Sequence, residues 1–149
     1  MPKPILYVED DAHDVFFMRL GMDAAGLKTP LEVVVNGRDA IDYLAGKPPF
    51  TDRDRFPLPC LVLLDLNLPL VSGLEVLEWI RGQPQFQSLP VVIFSSSTHQ
   101  NDQDKARQLG VNDYVLKPSD MFSLTTVLGG LMKVVGNEPP QSRDVSEKL

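Results

Sequence analysis

Short apolar runs alternate along this chain with longer stretches in which apolar residues recur every three or four positions. Ile5 to Val8 is apolar, with Glu9, Asp10 and Asp11 directly after it, and reads as a buried strand. From Asp14 the period changes to that of a helix: Val15, Met18, Met22 and Ala25 form a stripe that Gly26 can end. Leu31 to Val35 reads as a second strand, Asn36-Gly37 as a turn, and Ala40, Ile41 and Leu44 as one face of a short helix closed by Gly46. Leu61 to Leu64 and Val91 to Phe94 read as strands three and four, separated by a helix over Gly73 to Arg81 that carries Leu74, Val76, Leu77 and Ile80. Asp102 to Leu109 is a weaker helix before Gly110, Tyr114 to Leu116 a short fifth strand, and Ser119 a candidate cap for a last helix running to about Val135.

Strands that read as apolar runs, alternating with helices, predict a parallel sheet covered on both sides, a three-layer α/β sandwich. Ligands of such sheets sit beyond the carboxyl ends of the strands, where the winding direction reverses. Strand one ends at Glu9, Asp10 and Asp11, strand three at Asp65 and Asn67, strand four at Ser95 and Ser96, and strand five at Lys117. Acids brought together on one edge repel one another unless a hard cation lies among them, and oxygen ligands without histidine or cysteine suit Mg²⁺. A lysine and a hydroxyl opposite can hold the oxygens of a phosphoryl group, which marks Asp65 as a residue placed to be phosphorylated.

Composition narrows the partners. The 149 residues carry 14 Lys and Arg against 20 Asp and Glu, a net charge of −6, so nucleic acid is not an expected ligand. One cysteine, Cys60, forms no internal disulfide, which suits a reducing compartment. No stretch approaches the roughly 18 uninterrupted apolar residues that span a bilayer, so the protein is expected in the cytoplasm. Domain boundaries are expected at 1–136 for the folded unit and 137–149 for a polar tail, expected to be flexible.

Glu9-Asp10 after strand one, Asp65 with Pro69 and Gly73 in a D-x3-P-x3-G arrangement, the hydroxyl of Ser95, and Lys117-Pro118 together resemble the receiver domain of two-component response regulators. The resemblance covers roughly Pro4 to Val135 and implies a flavodoxin-like sheet of strand order 2-1-3-4-5. It implies Asp65 as phosphoacceptor, attacking a phosphohistidine of a sensor histidine kinase. It further implies Mg²⁺ held by Asp10 and Asp65, by the backbone carbonyl of Asn67 and by Glu9 through water. Lys117 and Ser95 match the residues that meet the phosphoryl group, Tyr114 the aromatic that turns inward on activation, and Lys117-Pro118 a peptide bond usually held cis. Such a protein catalyses only its own phosphorylation and dephosphorylation. On the first helix, Phe17 and Leu20 lie off the core stripe and fall on the side that the family offers to its kinase.

Competing readings are weaker. A haloacid-dehalogenase-type phosphatase needs a second carboxylate two residues after the nucleophile, where this chain has Asn67. A flavodoxin-like electron carrier needs a hydroxyl- and glycine-rich phosphate loop where Glu9, Asp10 and Asp11 stand. A receiver fold used only for interaction has no need of the complete acid, hydroxyl and lysine set. Asp11 reads as a cap for the first helix rather than a ligand. Lys47 to Pro59 is long and proline-rich, a candidate contact surface. With LLDLNLP it resembles the single-domain regulators that accompany phytochrome kinases, which implies a bacterial phytochrome as one possible kinase, a downstream phosphotransfer protein as a second partner, and room for a homodimer.

Overall fold

The computed structural model describes residues 2–135, so the tail expected over 137–149 lies outside the described residues. Five parallel strands, β1 (Ile5–Val8), β2 (Leu31–Val34), β3 (Leu61–Leu64), β4 (Val91–Ser95) and β5 (Asp113–Leu116), form one sheet in the order β2-β1-β3-β4-β5. This is the expected doubly wound order. The helices are α1 (Ala12–Ala24), α2 (Gly37–Ala45), α3 (Gly73–Arg81), α4 (Gln100–Gln108) and α5 (Met121–Val134), with a 3-10 turn over Pro84–Phe86 that periodicity does not reveal.

Strand alternation divides the core in two. Leu6, Val8, Val62, Leu64, Val91 and Ile93 point to one face, under Ala40, Tyr43 and Leu44 of α2, Val76, Leu77 and Ile80 of α3, and Ala106 of α4. Ile5, Tyr7, Leu61, Leu63, Val92 and Phe94 point to the other, under Met18 and Met22 of α1 and Leu124, Leu128 and Leu131 of α5. Because β1, β3 and β4 are buried on both faces, they read as unbroken apolar runs. Each fully buried Leu or Ile among them contributes about 1.5–3 kcal/mol by leaving water. The edge strands β2 and β5 are only partly covered.

The caps locate the helix ends. Asp11 accepts hydrogen bonds from the amides of His13 and Asp14, so α1 begins at Ala12, two residues earlier than its apolar stripe suggests. Asn36 caps α2 through the Asp39 amide, and Gly46, at φ 74°, ends it. Ser72 and Glu75 form a reciprocal capping box on α3. Asp120, not Ser119, caps α5, because its carboxylate reaches the Ser123 amide at 2.8 Å.

The long loop after α2 is internally tied. Phe50, Phe56 and Tyr43 pack with ring centroids 5.2–5.9 Å apart. Arg53 donates to the carbonyls of Tyr43, Leu44 and Phe56, and the Tyr43 hydroxyl donates to that of Pro57. The loop thus folds back on the end of α2. The cis peptide bond among the described residues is Pro48-Pro49; Lys117-Pro118, which the resemblance implied to be cis, is not. No helix among the described residues is long and apolar enough to cross a membrane.

Candidate functional site

The carboxyl ends of β1, β3, β4 and β5 converge on one rim. Glu9 follows β1, Asp65 follows β3, Ser95 ends β4, and Lys117 follows β5, so the sheet itself brings together residues more than a hundred positions apart. The Lys117 amide donates to the Ser95 carbonyl at 2.9 Å, continuing the β4–β5 ladder one residue past its last register pair and fixing where the lysine side chain starts. The loop carrying Asp65 is held just as closely. A Cβ at Gly73 would collide with the Asp65 carbonyl, which explains the glycine of the D-x3-P-x3-G arrangement.

The Lys117 ammonium lies 2.7 Å from Glu9 Oε1, 2.7 Å from Asp14 Oδ2 and 3.1 Å from Asp65 Oδ2. Glu9 and Asp65 are buried, at 1% and 6% exposure, while Asp10 stands in solvent. Glu9 also accepts from the Tyr7 hydroxyl at 3.2 Å and the Asp11 amide at 3.1 Å. Burial raises the Glu9 pKa and the Asp65 charge adds to that, against the opposing pull of Lys117. For Lys117, burial alone favours the neutral amine, but Asp14, Glu9 and Asp65 outweigh it and hold the ammonium well above the ordinary lysine range. Burial, with Glu9 and Asp14 nearby, likewise keeps the Tyr7 phenol protonated.

One lysine therefore faces more negative charge than it can balance. Glu9, Asp10 and Asp65 each offer a carboxylate oxygen within 4.8 Å of the others. Hard oxygen donors of excess negative charge, two of them desolvated, fit a divalent cation such as Mg²⁺ and not a soft metal.

The other expected residues fall into place unevenly. Ser95 is fully buried, its hydroxyl accepting from the Ser97 amide at 3.1 Å. Tyr114 is half-buried, packs against the α2–α3–α4 side of the core, and donates to the Ser97 carbonyl at 3.0 Å. Asn67 is exposed in the loop two residues past Asp65. Asp11 is a cap, as expected.

Phe17 requires a correction. It is half-buried and packs on the α1–α5 side of the core. The reason is Gly21, four residues on: it has no side chain, Leu124 and Leu128 of α5 fill the space, and the apolar face of α1 widens to include Phe17. The exposed apolar pair on α1 is instead Phe16, 64% exposed, and Leu20, 43% exposed, four residues apart.

Asp14 and Tyr7 escaped the sequence reading. Asp14 follows the Asp11 cap by three residues, the spacing that returns a helical side chain to the same side, but apolar periodicity gives no weight to such an acid. Tyr7 sits inside an apolar strand, where an aromatic reads as core.

Comparison with known proteins agrees with this arrangement. Residues 5–128 match the family model of the response regulator receiver domain. Response regulator Rcp1 of Synechocystis sp. is 31% identical over 130 residues, covering 87% of this chain and 86% of its own. Its Mn(2+)-bound crystal structure superposes with a TM-score of 0.77 at 30% identity, over 89% of this chain and 93% of that one. The phosphorylated cyanobacterial phytochrome response regulator RcpA gives a TM-score of 0.81 at 28% identity, over 92% and 96% of the two chains. The bacteriophytochrome response regulator RtBRR gives 0.76 at 40% identity, over 88% and 78%. With a sheet of the expected order, acids and a lysine on its carboxyl rim, and a family match that spans nearly the whole described chain, this protein belongs to the response regulator receiver domain family and has that family's phosphoacceptor role in two-component signalling.

Proposed function

We propose that Asp65 is the phosphoacceptor and that the donor is the phosphohistidine of a sensor histidine kinase, a bacterial phytochrome in particular. The observation that carries the reading is the buried Asp65 carboxylate, 3.1 Å from the Lys117 ammonium and within reach of Glu9 and Asp10. An Asp65 oxygen attacks phosphorus, the O–P bond forms as the histidine N–P bond breaks, and the imidazole leaves with the electron pair and takes a proton from solvent. Lys117 balances charge on the phosphoryl oxygens, and the Ser95 hydroxyl, at the end of the neighbouring strand, turns toward them. Asp10, Asp65 and the Asn67 carbonyl, with Glu9 through water, would hold Mg²⁺, which would supply further charge neutralisation for the same oxygens. Tyr114 reports the event by exchanging its bond to the Ser97 carbonyl for a more buried position.

The phytochrome pathway is supported by the likeness to RcpA, a phytochrome response regulator, and RtBRR, a bacteriophytochrome response regulator, and the metal by the Mn(2+) bound in Rcp1. The kinase contact falls on α1 around Leu20 and, in place of Phe17, Phe16. Signalling proceeds in the cytoplasm by binding, by transfer to a downstream phosphotransfer protein or through a homodimer, and the only catalysis is self-directed.

Incubation with acetyl phosphate and Mg²⁺ tests the acceptor. Asp65→Asn folds and takes up no phosphoryl group; stoichiometric, acid-stable labelling of this variant would place the acceptor elsewhere. Asp10→Ala loses most of the Mg²⁺ affinity in a direct titration, and an unchanged affinity would remove Asp10 from the metal site.

A further inference from the structure

An ammonium has three N–H donors and no acceptor. In Lys117 two donate to Asp14 and Asp65, and the ammonium is ion-paired with Glu9 at 2.7 Å. A phosphoryl group on Asp65 turns that carboxylate into an ester and brings three further acceptor oxygens and negative charge; the donor facing Asp65 passes to these oxygens, and any further contact from Lys117 is made at the expense of Glu9 or Asp14. The two carboxylates other than Asp65 differ in how readily they let go. Glu9 is at 1% exposure and is anchored by the Tyr7 hydroxyl and the Asp11 amide, so leaving it without the lysine strands a buried charge. The Asp14 side chain is 38% exposed, and among the described residues Lys117 is the one side chain its carboxylate pairs with. A cavity of about 20 Å³, lined by Asp14 and Lys117 with Tyr7, Met18 and Phe94, adjoins the pair and has room for a water on the vacated side.

We propose that Asp14 is a positioning residue that competes with the phosphoryl group for Lys117, holding the lysine in reserve before phosphorylation and yielding it afterwards. The affinity of the site for a phosphoryl group is then set partly from α1, by a residue that touches neither metal nor phosphorus. This rests on Asp65 being the phosphoacceptor.

The test is the dissociation constant for beryllofluoride, which stands in for the phosphoryl group on an aspartate, at saturating Mg²⁺. Asp14→Asn, and independently Asp14→Ala, tighten binding about threefold to fivefold, the scale of a partly exposed ion pair, with Mg²⁺ affinity unchanged. Asp11→Asn removes the same charge from the same rim and keeps a capping side chain, but does not free the lysine, so it leaves the constant where it is. Unchanged binding in both Asp14 variants, or equal tightening by Asp11→Asn, overturns the competition and leaves the phosphoacceptor reading standing. Failure of the unmodified protein to bind beryllofluoride, or equally tight binding by Asp65→Asn, overturns the phosphoacceptor reading and this inference with it.

Discussion

Arg81 and Lys117 are both half-buried cations at opposite ends of one sheet, yet their partners differ in kind. Arg81, at the end of α3, donates to the carbonyls of Gly110, Phe86 and Leu89 and to the Asn112 side chain, all at 2.9–3.0 Å. These acceptors are neutral, and burial, with no acid to oppose it, lowers the Arg81 pKa. Lys117, at the other end of the strands, has only acids around it, and they raise its pKa against the effect of burial. Arg53 repeats the Arg81 pattern with three carbonyls of its own. A cation paired with neutral dipoles is satisfied within the chain and holds it in one shape. A cation among surplus carboxylates leaves net charge uncompensated, and that surplus is completed by something from outside.

Substitution separates the two kinds. Arg81→Met strands three backbone carbonyls and lowers the unfolding free energy by roughly 3 kcal/mol, measured by denaturant titration, because bonds from charged donors are the stronger ones. The protein that remains folded still accepts phosphate, and loss of acceptance without loss of stability would erase the contrast. At the acidic rim the effect comes from added ligand: Mg²⁺ at a hundred times its Kd raises stability by about 2.7 kcal/mol in thermal unfolding. Asp10→Ala forfeits most of that gain while Arg53→Met keeps it.

The alkaline limb of stability sharpens the comparison last. Burial, with the Glu32 charge adding to it, pushes the Tyr43 phenol up to about 12 from an ordinary 10.0, against a smaller pull from Arg53. The folded state therefore holds this proton more tightly than the unfolded chain. The contribution is complete below pH 10 and is lost as pH rises toward 12, with a slope of at most about 1.4 kcal/mol per pH unit. Tyr43→Phe removes that slope, read from denaturation midpoints between pH 9 and about 11.5; an unchanged slope would mean that the hydroxyl does not stay protonated against Pro57.

What the sequence reveals follows the physics of each region. β1, β3 and β4 are visible as apolar runs because both faces are buried; Glu9 and Asp65 are visible because each directly follows such a run and Ser95 because it ends one, while Lys117 follows the partly covered β5. The start of α1 is harder to see, since Asp11 sets it through two backbone amides rather than through an apolar residue. The burial of Phe17 depends on Gly21 and on α5, more than a hundred residues further along, which no local pattern encodes. Asp14 belongs to the site only because α1 turns it toward a lysine 103 positions away.

Leu70 lies in the loop between Asp65 and Gly73 at φ 69°, with 79% of its surface exposed. A left-handed backbone costs a residue with a branched side chain about 1–2 kcal/mol, and asparagine tolerates it more readily. The loop that carries the acceptor thus holds a reserve of thermostability at a position outside the core and off the charged rim. For anyone engineering this protein as a robust signalling part, Leu70→Asn is a place to gain tolerance to heat without touching the chemistry.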